Sequence, residues 1–265
     1  MFRFQEFPIT MSVIFLDRCK LYELVNKKLR HNSQYDIIGK IGSVSKNADI
    51  YLCRCENQFF VRKTYKKRSS LDIILSLKLS SLVLRDVNPH FNVIYRLQHN
   101  TLLCELAKGD LKSFLKEYIL FDVLKNCLQQ ILVCVLSFHV HCEMMHSDCN
   151  PGNFLYKRIP KGGHIHYSIC RKDVYIENLG YLWMINDYDL VEEADATEYY
   201  CDYGNALEVF VEYKKKCKKF SKILEETLHI LRNNHNDYDL FLKLIDAKVF
   251  DTCNRDVLNN NRYIL

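Results

Sequence analysis

The chain has 265 residues, of which 48% are hydrophobic and 26% are charged, and this balance excludes intrinsic disorder as its main state. Its 37 basic and 32 acidic residues give a net charge of +5 without dense basic blocks, so nucleic acid is not an expected partner. With only 8 glycines and 4 prolines, the chain is neither collagen-like nor proline-rich, and an all-β fold with many tight turns is not expected.

Cysteine usage and the first residues indicate the compartment. The 12 cysteines do not suggest a disulfide framework, because a chain of this length does not need one, and none of them forms the Cys-x-x-Cys pair typical of zinc sites. Glu6 and Pro8 interrupt the apolar stretch that a signal peptide would need. No run of roughly 18 apolar residues is present either. We therefore expect a cytoplasmic protein without a membrane span.

In the first part of the chain, short β-prone runs follow an N-terminal helix. Apolar residues recur at helical spacing before residue 30, and after residue 35 short runs of isoleucine, tyrosine and phenylalanine alternate with polar turns. The predicted elements are a helix over 11–29, strands over 50–53 and 59–61, a helix over 69–85, and strands over 90–95 and 101–106.

The second part is predicted to be mainly helical, with an inserted pair of strands. The predicted elements are helices over 111–118 and 121–141, a hairpin over 164–176, a strand over 182–185, a buried helix that begins near Asp202, and an amphipathic helix over 238–250. Strands that come first and helices that come later predict an α+β fold.

The segment that follows the long helix carries the most informative chemistry. Asp148 and Asn153 flank Pro151-Gly152, which predicts a loop that turns both side chains towards one cleft. A carboxylate there can orient an attacking hydroxyl, and a neutral amide can hold a metal ion without adding charge. Downstream, the apolar run at 182–185 leads to Asp187, a carboxylate at a strand end and a suitable ligand for a divalent cation beside phosphate.

These residues resemble two motifs of the protein-kinase superfamily. The pattern His146-x-Asp148-x-x-x-x-Asn153 resembles the catalytic loop, and Asp187 after a strand resembles the first residue of the metal-binding triplet. The inserted hairpin and the short segment after Asp187 make the chain similar to the divergent serine/threonine kinases of large DNA viruses, such as poxviruses and iridoviruses.

Three further stretches are similar to kinase motifs and occur in the expected order. The loop at Gly42 resembles the phosphate-covering glycine loop, Lys63 resembles the third-strand lysine, and Glu105 lies in a stretch similar to the hinge that meets adenine. The resemblance covers residues 38–206 and implies a two-lobed protein-kinase-like fold. The domains that it implies are an N-terminal helical extension over 1–34, a β-rich N-lobe over 35–105, and a mainly helical C-lobe over 106–265 with an inserted hairpin near 160–181.

The resemblance implies a serine/threonine protein kinase that uses ATP and Mg²⁺, acts on a protein substrate and, if viral, resides in the host cytoplasm or the virion. Positioning and charge neutralisation supply most of the catalysis in that mechanism. The resemblance implies that Asp148 orients the acceptor hydroxyl and that Asn153 and Asp187 ligate Mg²⁺. It implies that Lys63 contacts the α- and β-phosphates and that Gly42 covers the phosphates. The hinge backbone at Glu105 would contact adenine, and His146 would support the catalytic loop.

The chain departs from the kinase pattern at several positions. The glycine loop keeps one of its three glycines, Tyr188-Asp189 replaces the usual Phe-Gly, and no Ala-Pro-Glu follows. No glutamate lies between Glu56 and Glu105, so the usual helix partner of the lysine is missing. Asp72, near the start of the predicted helix over 69–85, is the acid best placed to pair with Lys63 instead.

Two other functions stay open at the level of the sequence. A small-molecule kinase of the aminoglycoside or choline type shares the catalytic-loop pattern and also lacks Ala-Pro-Glu, although that class carries a large helical insertion where this chain has a short hairpin. A catalytically inactive, kinase-like binding protein would explain the lost glycines and the missing glutamate. Such a scaffold would have no chemical need to keep the lysine, the catalytic aspartate and both metal ligands together.

Overall fold

The structure is a computed structural model that describes residues 13–31, 35–42, 47–67, 70–117, 120–213, 216–253 and 262–265. Within those residues, seven α-helices and eleven strands form a mixed α+β fold, as the sequence predicted. Part of the predicted phosphate-covering loop, residues 43–46, lies outside the described residues, as do residues 1–12 and 32–34 of the predicted extension.

Most elements lie close to their predicted positions. The helices are α1 (Val13–His31), α2 (Ser70–Val83), α3 (Leu111–Glu117), α4 (Phe121–Cys142), α5 (Tyr200–Val211), α6 (Lys218–Arg232) and α7 (Asp237–Asp246). The strands are β1 (Asp36–Lys40), β2 (Ala48–Cys55), β3 (Gln58–Tyr65), β4 (Ile94–Gln98), β5 (Thr101–Cys104), β6 (Gly109–Asp110), β7 (Phe154–Arg158), β8 (His164–Ile169), β9 (Lys172–Glu177), β10 (Tyr181–Ile185) and β11 (Tyr263–Ile264).

The first five strands form one antiparallel sheet in the order β1-β2-β3-β5-β4. A tight turn at Glu56, which has a φ of 53°, joins β2 to β3, and α2 connects β3 to β4. Lys63 lies on the middle strand, opposite Ile50 on one side and Leu102 on the other. The backbone of this lysine is therefore fixed by hydrogen-bonded neighbours on both sides.

The predicted strand over 90–95 is wrong in its first four residues, because β4 begins only at Ile94. The ring of His90 is buried and bonds the carbonyl of Trp183 and the hydroxyl of Tyr167, at 2.7 Å each. Phe91 forms an isolated bridge with Ile185 of β10. The apolar run before β4 thus packs against β10 and does not lengthen the first sheet.

Helix α4 is the core helix of the second part of the chain. Among the described residues it is the one helix long and apolar enough to cross a membrane, and 83% of its apolar window is buried inside the protein. Burial of this kind is typical of a core helix. The helix ends at Glu143, which adopts a left-handed φ of 56° and donates its N–H to the carbonyl of His139. This ending directs the chain into the segment that carries Asp148.

Two small sheets follow α4, in the orders β10-β7-β6 and β11-β8-β9. Strands β7 and β10 pair antiparallel with Phe154 opposite Ile185, so the beginning of β7 lies beside the end of β10. This pairing brings Asn153 and the residues after Ile185 together. The predicted hairpin is present as β8 and β9, and the C-terminal strand β11, which the sequence did not predict, pairs in parallel with β8.

Candidate functional site

The loop between α4 and β7 is fixed by hydrogen bonds to Asp202 of α5. The Asp202 carboxylate accepts hydrogen bonds from the backbone N–H groups of His146 (2.6 Å) and Ser147 (2.9 Å), and Ser147 has a left-handed φ of 62°. Burial would raise the pKa of Asp202, but these donors and His139 outweigh it and lower the pKa. An ionised acid therefore stabilises a strained loop, as is common at functional sites.

His146 connects this loop to the end of β10. Its Nε2 donates to the carbonyl of Asn186 over 3.2 Å, and the ring is fully buried. Burial lowers the pKa of His146 despite the nearby Asp202 charge, so the ring is neutral at physiological pH. His146 therefore fixes the loop between α4 and β7 to the residue that follows β10.

Asp148 and Asn153 form the front of the same loop. The Nδ2 group of Asn153 donates to the carboxylate Oδ2 and to the backbone carbonyl of Asp148, both at 2.8 Å, and Asn150 donates to Oδ1. The backbone N–H of Asn186 donates to the carbonyl of Asn153 at 2.9 Å. The Asp148 carboxylate is thus fixed in orientation, and the next residue after Asn186 is Asp187.

Lys63 lies between two carboxylates that come from different parts of the chain. Its Nζ is 2.7 Å from Oδ2 of Asp72 on α2 and 2.6 Å from Oδ1 of Asp187 after β10. Burial alone would lower the pKa of Lys63, but the charges of Asp72 and Asp187 outweigh it and raise the pKa. The lysine is therefore a fixed positive charge.

Asp72 is a buried hub with several donors. Besides Lys63, its carboxylate accepts from the hydroxyl of Tyr65, from Ser76 (3.3 Å) and from the backbone N–H of Tyr188 (3.0 Å). Burial would raise the pKa of Asp72, but Lys63 and the hydrogen bonds lower it. The acid that the sequence suggested as the partner of Lys63 contacts it and also ties α2 to the residue after Asp187.

A third carboxylate lies beside this pair. Asp72, Asp187 and Asp189 each offer an oxygen, and the three oxygens lie within 4.8 Å of one another. Asp187 has a left-handed φ of 69°, which is unusual for a residue with a side chain. Carboxylate oxygens are the ligands that Mg²⁺ prefers in proteins. The sequence suggested roles for Asp72 and Asp187 but none for Asp189, which was noted only as part of the departure from the kinase triplet.

Glu105 and Gly42 are the remaining predicted site residues. The Glu105 side chain is buried and engaged by Arg18 and Lys157, and its backbone N–H donates to the carbonyl of Val93. Both the side chain and the N–H of Glu105 are therefore engaged within the protein. Gly42 adopts a φ of 77°, and no atom lies within 4 Å of where a Cβ would stand, so its glycine is needed for backbone conformation.

A cleft of about 760 Å³ opens on one side of Asp148. One wall is α3, with Lys112 and Lys116, and the other is α5 with the residue that follows it, carrying Glu208 and Glu212. Between the described residues of the two walls, these opposite charges form no ion pair. The cleft therefore offers both signs of charge to a molecule placed next to Asp148.

Comparison with known proteins adds one partial similarity. No known protein family matches the chain. Over 72 residues, 26% of the chain, it is 38% identical to a protein of Frog virus 3 (isolate Goorha) named "Putative serine/threonine-protein kinase 019R". The matched region spans 8% of the length of that viral protein. The similarity indicates a kinase-like relationship for about a quarter of the chain.

Proposed function

We propose that this protein is a divergent, viral-type serine/threonine kinase that binds ATP with Mg²⁺ and transfers the terminal phosphoryl group to hydroxyls of a protein substrate. The name of the Frog virus 3 protein supports this class, and the viral setting suggests action in the host cytoplasm or the virion. In the fold that we propose, the five-stranded sheet with α2 is the small lobe, and the part from residue 106 onwards is the large lobe.

One observation carries the proposal. Lys63, in the middle of the first sheet, contacts Asp187, which follows β10 in the second part of the chain. Asn186, the residue after β10, donates its N–H to the carbonyl of Asn153, and the Asn153 side chain donates to the carboxylate of Asp148. A cation, a metal-type carboxylate and a candidate hydroxyl-orienting carboxylate are thereby connected across two parts of the chain, which is the arrangement that phosphoryl transfer needs.

The charges at this site fit a divalent cation. One ammonium group, Lys63, stands among three carboxylates, those of Asp72, Asp187 and Asp189. This excess of negative charge would repel a triphosphate unless a cation offset it. Asp187 and Asn153 would hold Mg²⁺, with Asp189 close enough to add a ligand, and the ion would neutralise phosphate charge when bound.

The chain's own residues then supply binding and orientation. Lys63 would contact the phosphates, and its pairing with Asp72 fixes the position of its ammonium group. Asp148 would accept a hydrogen bond from the acceptor hydroxyl and aim its oxygen, because two asparagine side chains hold that carboxylate. Gly42 would lie over the phosphates, and the backbone at Glu105 would meet the adenine.

The cleft beside Asp148 supports a second candidate, a small-molecule kinase. Its volume of about 760 Å³ is within the range of ligand sites. Glu208 and Glu212 on its α5 wall would suit a cationic acceptor such as an aminoglycoside. The same assay separates the two candidates, since it can present both kinds of acceptor.

The test is labelled phosphate transfer from Mg-ATP to generic proteins, small alcohols and aminoglycosides. We expect label on Ser and Thr of proteins, and a loss of about 10²–10⁴-fold in the Asp148→Ala variant with ATP affinity retained. Asp246→Ala, an exposed carboxylate on α7, is the matched control. Equal labelling by wild type and Asp148→Ala, or no Mg-ATP binding by wild type, would contradict the proposal, and label on small molecules alone would favour the second candidate.

A further inference from the structure

We infer that helix α1 is part of the nucleotide site and that Arg18 is the positioning residue that fixes the segment after β5. The inference rests on the proposed function, because it takes that segment as the one that meets the adenine. Helix α1 lies outside residues 38–206, so nothing in the kinase resemblance assigns it a role. Its contacts do.

The guanidinium of Arg18 connects three separate segments. Its Nε and Nη2 bind the two carboxylate oxygens of Glu105 at 3.1 and 2.6 Å, a forked arrangement. Its Nη1 donates to the carbonyl of Pro89 at 2.6 Å, and Nη2 also donates to the carbonyl of Phe91. Arg18 is 4% exposed and Glu105 is 1% exposed. A buried arginine thus joins α1, the segment before β4 and the end of β5.

The second part of the chain reaches the same carboxylate. Lys157 of β7 contacts Oε1 of Glu105, and the backbone N–H of Val93 donates to Oε2 at 3.2 Å. The backbone N–H of Glu105 in turn donates to the carbonyl of Val93 at 2.8 Å. Among the described residues, the partners of the Glu105 side chain are thus Arg18 of α1, Lys157 of β7 and the N–H of Val93, and these groups fix its position.

Arginine is the residue type that this position requires. Its planar fork binds both carboxylate oxygens while the remaining N–H groups satisfy two buried carbonyls, which a lysine ammonium cannot do at once. Without it, Glu105 would keep only Lys157 as a charged partner, and the carbonyls of Pro89 and Phe91 would lose a donor. The segment after β5 would then shift relative to Lys63 and Asp187, neither of which is among the described partners of Arg18.

The test compares two ligands in the full chain. Arg18→Met and Arg18→Lys are measured for binding of ATP and of inorganic tripolyphosphate with Mg²⁺, together with KM and kcat. We expect Arg18→Met to weaken ATP binding about tenfold and tripolyphosphate binding less than about twofold, with KM for ATP raised and kcat nearly unchanged. Arg18→Lys should fall between Arg18→Met and wild type. Arg54→Met, which removes an exposed arginine of β2 paired with Asp36, is the control.

The outcomes separate the two proposals. Equal loss of ATP and tripolyphosphate affinity in folded Arg18→Met would show a general structural role and overturn the inference. If Arg18→Met does not fold, the Arg18→Lys variant decides, and an ATP affinity equal to wild type there overturns the inference too. Failure of the wild type to bind ATP would overturn the proposed function together with this inference.

Discussion

The ammonium of Lys63 and the carboxylate of Asp72 lie 2.7 Å apart, although Asp72 is one methylene shorter than the glutamate of the kinase pattern. Asp72 lies in the first turn of α2, and from there it reaches Lys63 of β3 and the N–H of Tyr188 after β10. Tyr188 N–H donates to the second oxygen of Asp72, so the same carboxylate fixes α2 to the backbone beside Asp187. In a kinase this contact would hold the lysine, the helix and the metal ligand in one arrangement.

Replacement of Asp72 by alanine is expected to destabilise the protein by about 3 kcal/mol, because it takes an acceptor from Lys63, Tyr65 and the Tyr188 N–H at once. The free energy of unfolding in urea measures this loss. Asp49→Ala is the matched control, since Asp49 is a half-buried acid that pairs with the exposed Lys40, and the urea midpoint should hardly change. Equal effects of the two substitutions would contradict the hub role of Asp72.

Periodicity and motif order predicted most of the fold because the residues concerned act locally. The hairpins and α4 are set by neighbouring residues, and Asp72 could be suggested because no glutamate was available in its region. The predicted strand at residue 90 was wrong because a short apolar run is typical of a strand. The ring of His90 is instead hydrogen-bonded to the carbonyl of Trp183, far along the chain.

The contacts of Arg18 could not be predicted from the sequence. An arginine on an amphipathic helix is usually solvent-exposed, and its partner Glu105 is 87 positions away. For Asp202, the sequence predicted only that a helix begins near it. Its hydrogen bonds to the backbone of His146 and Ser147 depend on how α5 packs against the loop between α4 and β7. Long-range polar contacts of this kind follow from tertiary packing and leave no periodic signal.

Nucleotide binding is expected to depend on a divalent cation, and Asp187→Asn should remove that dependence. In wild type, the acid excess around Lys63 would repel the triphosphate, so EDTA should abolish ATP binding. In Asp187→Asn, the proposed metal ligand is lost and the repulsion is smaller, so ATP should bind weakly and equally with and without Mg²⁺. Titration calorimetry with and without Mg²⁺ measures both. A variant that keeps the Mg²⁺ dependence of wild type would exclude Asp187 as the ligand.

Acid stability is expected to report the buried Glu105. Burial would raise its pKa, but Arg18 and Lys157 lower it from 4.5 to about 2. A lowered folded-state pKa gives stability that is complete above pH 4.5 and is lost as the pH falls towards 2, about 3 kcal/mol in all. Glu105→Gln should therefore be less stable at pH 7 and lose less stability between pH 4.5 and 2. Parallel pH profiles of the two proteins would refute this assignment.

Strand β11 is expected to stabilise the protein through the buried hydroxyl of Tyr263, which contacts Asp86 just after α2. Tyr263 is 1% exposed, pairs with Tyr167 of β8 and donates to Oδ1 of Asp86 at 2.8 Å, just after the end of α2. Tyr263→Phe keeps the ring and removes one donor to a buried carboxylate, so the free energy of unfolding should fall by about 1–2 kcal/mol.

Ile264→Ala is the matched control, because Ile264 is in the same strand and 70% exposed. Its effect should be small, since little apolar surface is removed from the interior. Hydrogen exchange at β8 adds a second readout: Tyr263→Phe should speed exchange there, because Leu265 N–H and β11 lie along that strand. If Tyr263→Phe costs no more than Ile264→Ala, the hydroxyl contact with Asp86 does not contribute the expected stabilisation.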